Sequence, residues 1–130
     1  MSLAAKFMKQ RANTAYALQF DEFDELVMIR PLTVEQRAKV NSLKSDEKQQ
    51  AQMIAYAAYT ETGDRFVKDQ KEALELDEDI AAFISTCIHM RTMGAADKVI
   101  DKAVQAYKQE LKGVEVSDEH IITEEDRNPN

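Results

Sequence analysis

The residues of this chain best suited to metal binding or nucleophilic chemistry are one cysteine and two histidines. Cys87 and His89 stand two positions apart within a predicted helix, so their side chains leave the helix in different directions. His120 lies in a polar C-terminal segment. This spacing matches no zinc pattern, because a structural zinc site needs four converging ligands. We predict that Cys87 is a small buried hydrophobic residue and that His89 faces solvent.

Two acidic segments could suggest carboxylate chemistry, but each has a simpler interpretation. Asp77, Glu78 and Asp79 precede an apolar helix, where negative charge stabilises the N-terminus. Residues 60–64 lack the alternating ligands and the closing glutamate of a calcium loop, and Gly63 indicates a turn. The chain also has no glycine-rich phosphate loop. We therefore expect no enzymatic activity, no cofactor and no metal ion.

Methionine and tyrosine residues offer a different kind of site. Met90 and Met93 lie off the apolar stripe of their predicted helix, and Tyr56 and Tyr59 flank an alanine-rich stripe. Methionine either fills gaps in a core or gives an adaptable apolar surface to a partner. These four residues are the candidate partner-binding residues of the sequence.

Charge is distributed unevenly along the chain. The net charge is −7, and residues 114–130 carry six acidic residues and one basic residue, so −5 of it lies there. The remainder is close to neutral and has no basic stripe, which argues against nucleic-acid binding.

The longest apolar run, residues 53–59, is far shorter than the roughly 20 residues of a membrane-spanning helix. We expect a soluble cytoplasmic protein without a membrane segment or a signal peptide.

The pattern of apolar residues predicts a mainly α, α+β fold with a short N-terminal β-hairpin. Residues 3–13 can form a helix, and residues 16–20 and 26–30 are β-prone runs that would pair. Pro31 must end the second run. Thr33 and Gln36 fit a capping box that starts the next helix. We expect residues 26–30 to present a free edge through which copies self-associate.

A bundle of about four to five short helices is predicted to follow the hairpin. The predicted spans are 34–43, 47–60, 68–76, 78–93 and 95–112. In the first of them Val34 and Ala38 are expected to face inward, with Val40 and Leu43 as further candidates. Gly94 and Gly113 are expected to end the last two helices.

The predicted organisation is one globular domain and a tail. The domain spans residues 1–113, of which 1–30 form the N-terminal helix and hairpin and 31–113 the helical part. Residues 114–130 are predicted to be an acidic, flexible tail.

Four segments resemble the tail assembly chaperones of long-tailed (siphovirus-type) bacteriophages. They are the junction IRPLTVEQ at residues 29–36, the helix MIAYAAY at 53–59, the turn TGDRF at 62–66 and the helix DIAAFISTCIHMRTMG at 79–94. The turn lacks the leading aspartate that is usual in the family. The resemblance spans about residues 14–94 and does not extend to the last helix or the tail.

The resemblance implies a non-enzymatic chaperone for virion morphogenesis in the host bacterial cytoplasm. Such a protein binds and solubilises the tape measure protein, helps to recruit tail tube subunits and is absent from the mature virion. In many relatives a programmed frameshift adds a second domain, through which the tail tube protein could be contacted. We expect a homo-oligomer whose groove includes Met90 and Met93 with Tyr56 or Tyr59. The alternative is a small acidic regulator or anti-repressor that acts by protein–protein binding.

Overall fold

A computed structural model describes residues 2–10, 14–20 and 24–120, with side chains described as far as residue 109. The predicted mainly helical α+β class is confirmed. In chain order the elements are α1 (Leu3–Gln10), β1 (Tyr16–Gln19), β2 (Leu26–Ile29), α2 (Val34–Asn41), α3 (Asp46–Ala57), β3 (Ala58–Thr60), α4 (Gln70–Ala73), α5 (Glu78–Thr92) and α6 (Asp97–His120). Residues 11–13 of the predicted first helix lie outside the described part.

The predicted hairpin exists, but it belongs to a three-stranded antiparallel sheet in the order β1-β2-β3. Tyr16 pairs with Ile29, and Ile29 pairs with Ala58 on its other side. Strand β2 is therefore central, and the prediction that residues 26–30 form a free edge is wrong. The reason is that a third strand, which the sequence pattern did not reveal, occupies that edge.

Strand β3 comes from residues that we assigned to the end of a helix. The predicted helix 47–60 ends instead at Ala57, and Ala58 is extended with φ −102° and ψ 133°. The N–H of Arg30 donates to the Ala57 carbonyl (2.9 Å), and the N–H of Phe66 donates to the Ala58 carbonyl (3.0 Å). An alanine-rich segment favours a helix locally, but pairing with β2 outweighs that small preference.

The junction after β2 has the predicted capping box. The Gln36 N–H donates to the Thr33 hydroxyl (3.1 Å), and the Thr33 N–H donates to the Gln36 side-chain oxygen (3.0 Å). The expectation that Val34 and Ala38 face inward is wrong, since both are exposed and Val34 is 89% exposed. Val40, one of the further candidates, is buried as predicted, and at 100° per residue the face with Val34 and Ala38 points away from it.

Helix α5 supplies much of the core of the first compact unit, Met1–Asp97. It contacts α3 and β2, and α3 also contacts α2 and α4. The sequence predicts an apolar face made of Ile80, Phe83, Ile84, Cys87 and Ile88, and all of these are buried except Ile80, which is half-buried. Gly94 follows the C-cap residue Met93 and adopts φ +92°, which is the left-handed conformation that glycine tolerates best. Asp77 precedes the helix but makes no side-chain capping bond.

The second unit, Lys98–Asn130, consists of most of α6 and the residues after it. The expectation that Gly113 ends this helix is wrong, because α6 continues to His120. One glycine costs a helix only about 1 kcal/mol, which the residues on either side can offset. Residues 114–120 of the predicted tail are therefore helical, and residues 121–130 lie outside the described part.

A matched pair of truncations tests the packing. Ile54 is 0% exposed and Val34 is 89% exposed. Ile54→Ala is expected to lower the free energy of unfolding by about 2–5 kcal/mol, because it leaves a cavity in the core. Val34→Ala is expected to change it by less than about 0.5 kcal/mol. Urea denaturation followed by circular dichroism measures both, and a large loss for Val34→Ala would contradict the outward orientation of that residue.

Candidate functional site

The first unit has an apolar cleft at one end of the sheet, with a volume of about 610 Å³. Binding pockets in proteins commonly have volumes of about 300–1,000 Å³. Its walls come from three places: the strand ends near the hairpin loop, the turn after β3, and the start of α5 with the loop before it. The lining residues are Phe20, Glu25, Leu26, Val27, Thr60, Phe66, Glu75, Leu76, Asp77, Ile80 and Ile84.

The floor of the cleft is set by the packing of the core. Ile84 and Val27 are buried at its base, while Ile80, Leu76 and Phe66 remain half-buried at its surface. The ring of Phe20 meets the ring of Phe83 edge-on, at 6.0 Å between centroids and 85° between planes. This arrangement fixes one wall, because edge-to-face aromatic pairs are favourable.

The rim of the cleft is acidic. Glu25, Glu75 and Asp77 line it and are exposed, and its described lining contains no lysine, arginine or histidine. Glu61 lies next to this rim, where its carboxylate accepts a hydrogen bond from the Leu26 N–H (3.2 Å). The cleft thus combines an apolar floor with carboxylates at its edge. It suits a polypeptide that carries apolar and basic side chains, because opposite charge favours encounter and orientation.

The two candidate tyrosines lie together and are not among the lining residues of the cleft. The Tyr59 hydroxyl donates to the Tyr56 carbonyl (3.0 Å). The guanidinium of Arg30 stacks over the Tyr59 ring, 4.2 Å from its centroid. Both tyrosines are half-buried. The Tyr59 ring is therefore part of an intramolecular cation–π contact.

The two candidate methionines lie at the C-terminal end of α5. Met93 is 60% exposed and Met90 is half-buried. This end of α5 is held by the side chain of Arg91, which donates to the Ala95 carbonyl (3.1 Å) and pairs with Asp97. Ile80 in the cleft precedes Met90 by ten helical residues, a rise of about 15 Å. The methionines and the cleft are thus at opposite ends of one helix.

The sequence pattern did not predict a cleft at these residues. Two short segments of the sequence carried a pattern that could have indicated it: Glu25 precedes Leu26, and Glu75 and Asp77 flank Leu76. In both segments acidic residues stand next to an apolar residue. Only the fold places these two segments on the same cleft.

Cys87 and His89 are not among the lining residues of the cleft, whereas Thr60 and Asp77 from the two acidic segments are. Cys87 is buried and His89 is exposed, as predicted. Burial raises the pKa of the Cys87 thiol to about 11. Within residues 2–10, 14–20 and 24–109, no three His, Cys, Asp or Glu side chains form a group that could hold a metal ion.

Comparisons with protein-family models, with curated proteins and with solved structures each give no match. None of the helices in the described part of the chain combines the length and the apolar character needed to cross a membrane.

The raised pKa of Cys87 predicts slow thiol chemistry. At pH 8 a thiol of pKa about 11 is ionised to about 0.1%, against about 10% for a thiol of pKa 9.0, so ionisation alone gives a difference of about 100-fold. Labelling with a chromogenic disulfide reagent should be at least that much slower in native buffer than in denaturing urea. Equal rates would contradict the burial of Cys87.

Because the pKa of the Cys87 thiol is higher in the folded protein than in the unfolded chain, the contribution of this group to stability should fall as the pH rises from about 9 to about 11.

Proposed function

We propose that this chain is a non-enzymatic tail assembly chaperone of a long-tailed bacteriophage. In this role it binds and solubilises the tape measure protein in the host cytoplasm and helps to recruit tail tube subunits. The observation that carries the proposal is the apolar cleft of about 610 Å³ with half-buried Phe66, Leu76 and Ile80. A long helical client exposes apolar stripes before assembly, and such stripes bind in grooves of this kind.

The segments that resemble the family also support the proposal. The junction at residues 29–36 connects β2 to α2 through the Thr33–Gln36 capping box. The turn at residues 62–66 bridges back to β3, with Thr60 donating its N–H to the Asp64 carbonyl (2.8 Å). Both segments fix the strands whose ends line the cleft. Of these two segments, the turn contributes Phe66 to the lining of the cleft, whereas the junction follows the opposite end of β2.

The acidic character of the chain fits a protein that keeps a client dispersed. The net charge is −7, and most of it lies in residues 114–130. Many copies bound along one client would repel other coated clients, because like charges oppose aggregation. Each copy needs only moderate affinity when many copies bind in a row.

Substitutions in the cleft test the proposal. Leu76→Asp with Ile80→Asp places two carboxylates on the half-buried apolar surface. Co-purification with the co-expressed tape measure protein should fall by roughly tenfold or more, since about 1.4 kcal/mol suffices for that loss. Far-UV circular dichroism and urea denaturation identify a folded variant. Retained co-purification by the folded variant would contradict binding in the cleft.

The double variant Met90→Asp and Met93→Asp is the matched comparison, because it makes the same chemical change at the other end of α5. If the four residues predicted from the sequence carry the client, this variant loses co-purification and the cleft variant keeps it. Loss by the cleft variant alone assigns the client to the cleft.

Deleting residues 114–130 separates the chaperone from an acidic regulator. The deletion removes a net charge of −5. For a chaperone we expect the tape measure protein to remain bound and the complex to become less soluble, because electrostatic repulsion is reduced. Pull-down and light scattering of the complex measure these effects. Complete loss of binding after this deletion would favour a regulator that acts through its acidic segment.

A further inference from the structure

Helix α1 has an apolar face that is exposed in the described part of the first unit. Leu3, Phe7 and Met8 are 68%, 64% and 71% exposed, and α1 contains no buried residue. With 100° between successive residues, Leu3 and Phe7 lie close together around the helix and Met8 adjoins them across Ala4. An eight-residue helix is marginal in water by itself, so packing against another surface would stabilise it.

The charge of α1 is opposite to that of the cleft. Its sequence LAAKFMKQ contains Lys6 and Lys9 and no acidic residue. Lys6 lies beside the apolar face and Lys9 farther around the helix, and long lysine stems allow the ammonium groups to reach outward. The cleft has an apolar floor and the exposed carboxylates of Glu25, Glu75 and Asp77 at its rim.

We propose that α1 of one copy docks in the cleft of a second copy. The sheet register favours a second copy over the same chain: α1 precedes Tyr16, which pairs with Ile29 at one end of the sheet, whereas the cleft is at the end where Gln19 pairs with Leu26. The acidic residues 114–130 do not suit the cleft, because they would meet carboxylates of the same sign. This inference concerns the free protein and goes beyond the proposed function.

The contact is heterologous, since each copy offers α1 on one surface and the cleft on another. A heterologous contact adds copies one after another, into a ring or an open chain. One helix of eight residues, about 12 Å long, covers little area, and small interfaces form weak complexes. We expect reversible association that increases with protein concentration.

Two variants of the full chain test α1 and the cleft, the two surfaces of the contact, one at a time. Phe7→Asp with Met8→Asp removes the apolar face of α1 and leaves the cleft intact. Glu25→Lys with Glu75→Lys reverses two rim charges and leaves α1 intact. All four residues are exposed, so both variants are expected to keep the fold, which circular dichroism and the urea midpoint check.

Sedimentation equilibrium over a range of protein concentrations measures the average mass and hence the association of each variant. The wild-type mass should rise with concentration, and each variant alone should associate at least tenfold more weakly. An equimolar mixture should form a one-to-one dimer, because one variant still has the cleft and the other still has α1. Glu35→Lys with Glu47→Lys is the control; it makes the same charge change at exposed positions outside this cleft and should associate at least as strongly as the wild type.

Three outcomes would overturn the proposal. The wild type could remain at the monomer mass at every concentration. Docking of α1 in the cleft of its own chain would give this result. Either variant could associate as the wild type does, or the mixture could give no dimer. No client is present in these measurements, so their failure leaves the co-purification tests of the proposed function unaffected.

Discussion

The fold depends on one constraint, which is that β2 must be paired on both edges and buried on one face. Along the chain, β1 comes directly before β2 in a hairpin, whereas helices α2 and α3 lie between β2 and β3. The inward residues Val27 and Ile29 of β2 are buried. Because strand pairing satisfies the backbone and burial removes apolar side chains from water, β2 fixes where α3 ends and where α5 packs.

The cleft follows from this constraint. Strands β2 and β3 end side by side, with Val27 opposite Thr60, and the first turns of α5 lie against that end of the sheet. Ile80 in the first turn of α5 and Leu76 before the helix line the cleft there, and both are half-buried.

The charge around this apolar surface determines which polypeptides it favours. Acidic residues line its rim, and the chain as a whole is acidic. A binding surface that is both apolar and negative discriminates against acidic polypeptides and favours those with lysine or arginine beside an apolar stripe. Helix α1 has this chemistry, so self-association would draw on the same physical interactions as the binding of a basic, apolar client helix.

Local sequence determined those features that depend on neighbouring residues. Pro31 and the Thr33–Gln36 box specify the junction, and Gly94 ends α5 because its left-handed backbone suits glycine. The apolar face of α5 and the burial of Cys87 followed from helical periodicity.

Tertiary structure decided the features that depend on residues distant along the chain. Residues 58–60 became a strand because β2 offered an edge, against the helical preference of an alanine-rich segment. Val34 and Ala38 share a face as predicted, but the burial of Val40 decides that this face points to solvent. The cleft was not predicted either, since it joins Phe20, Leu26 and Phe66 to the start of α5, and no local pattern encodes that proximity.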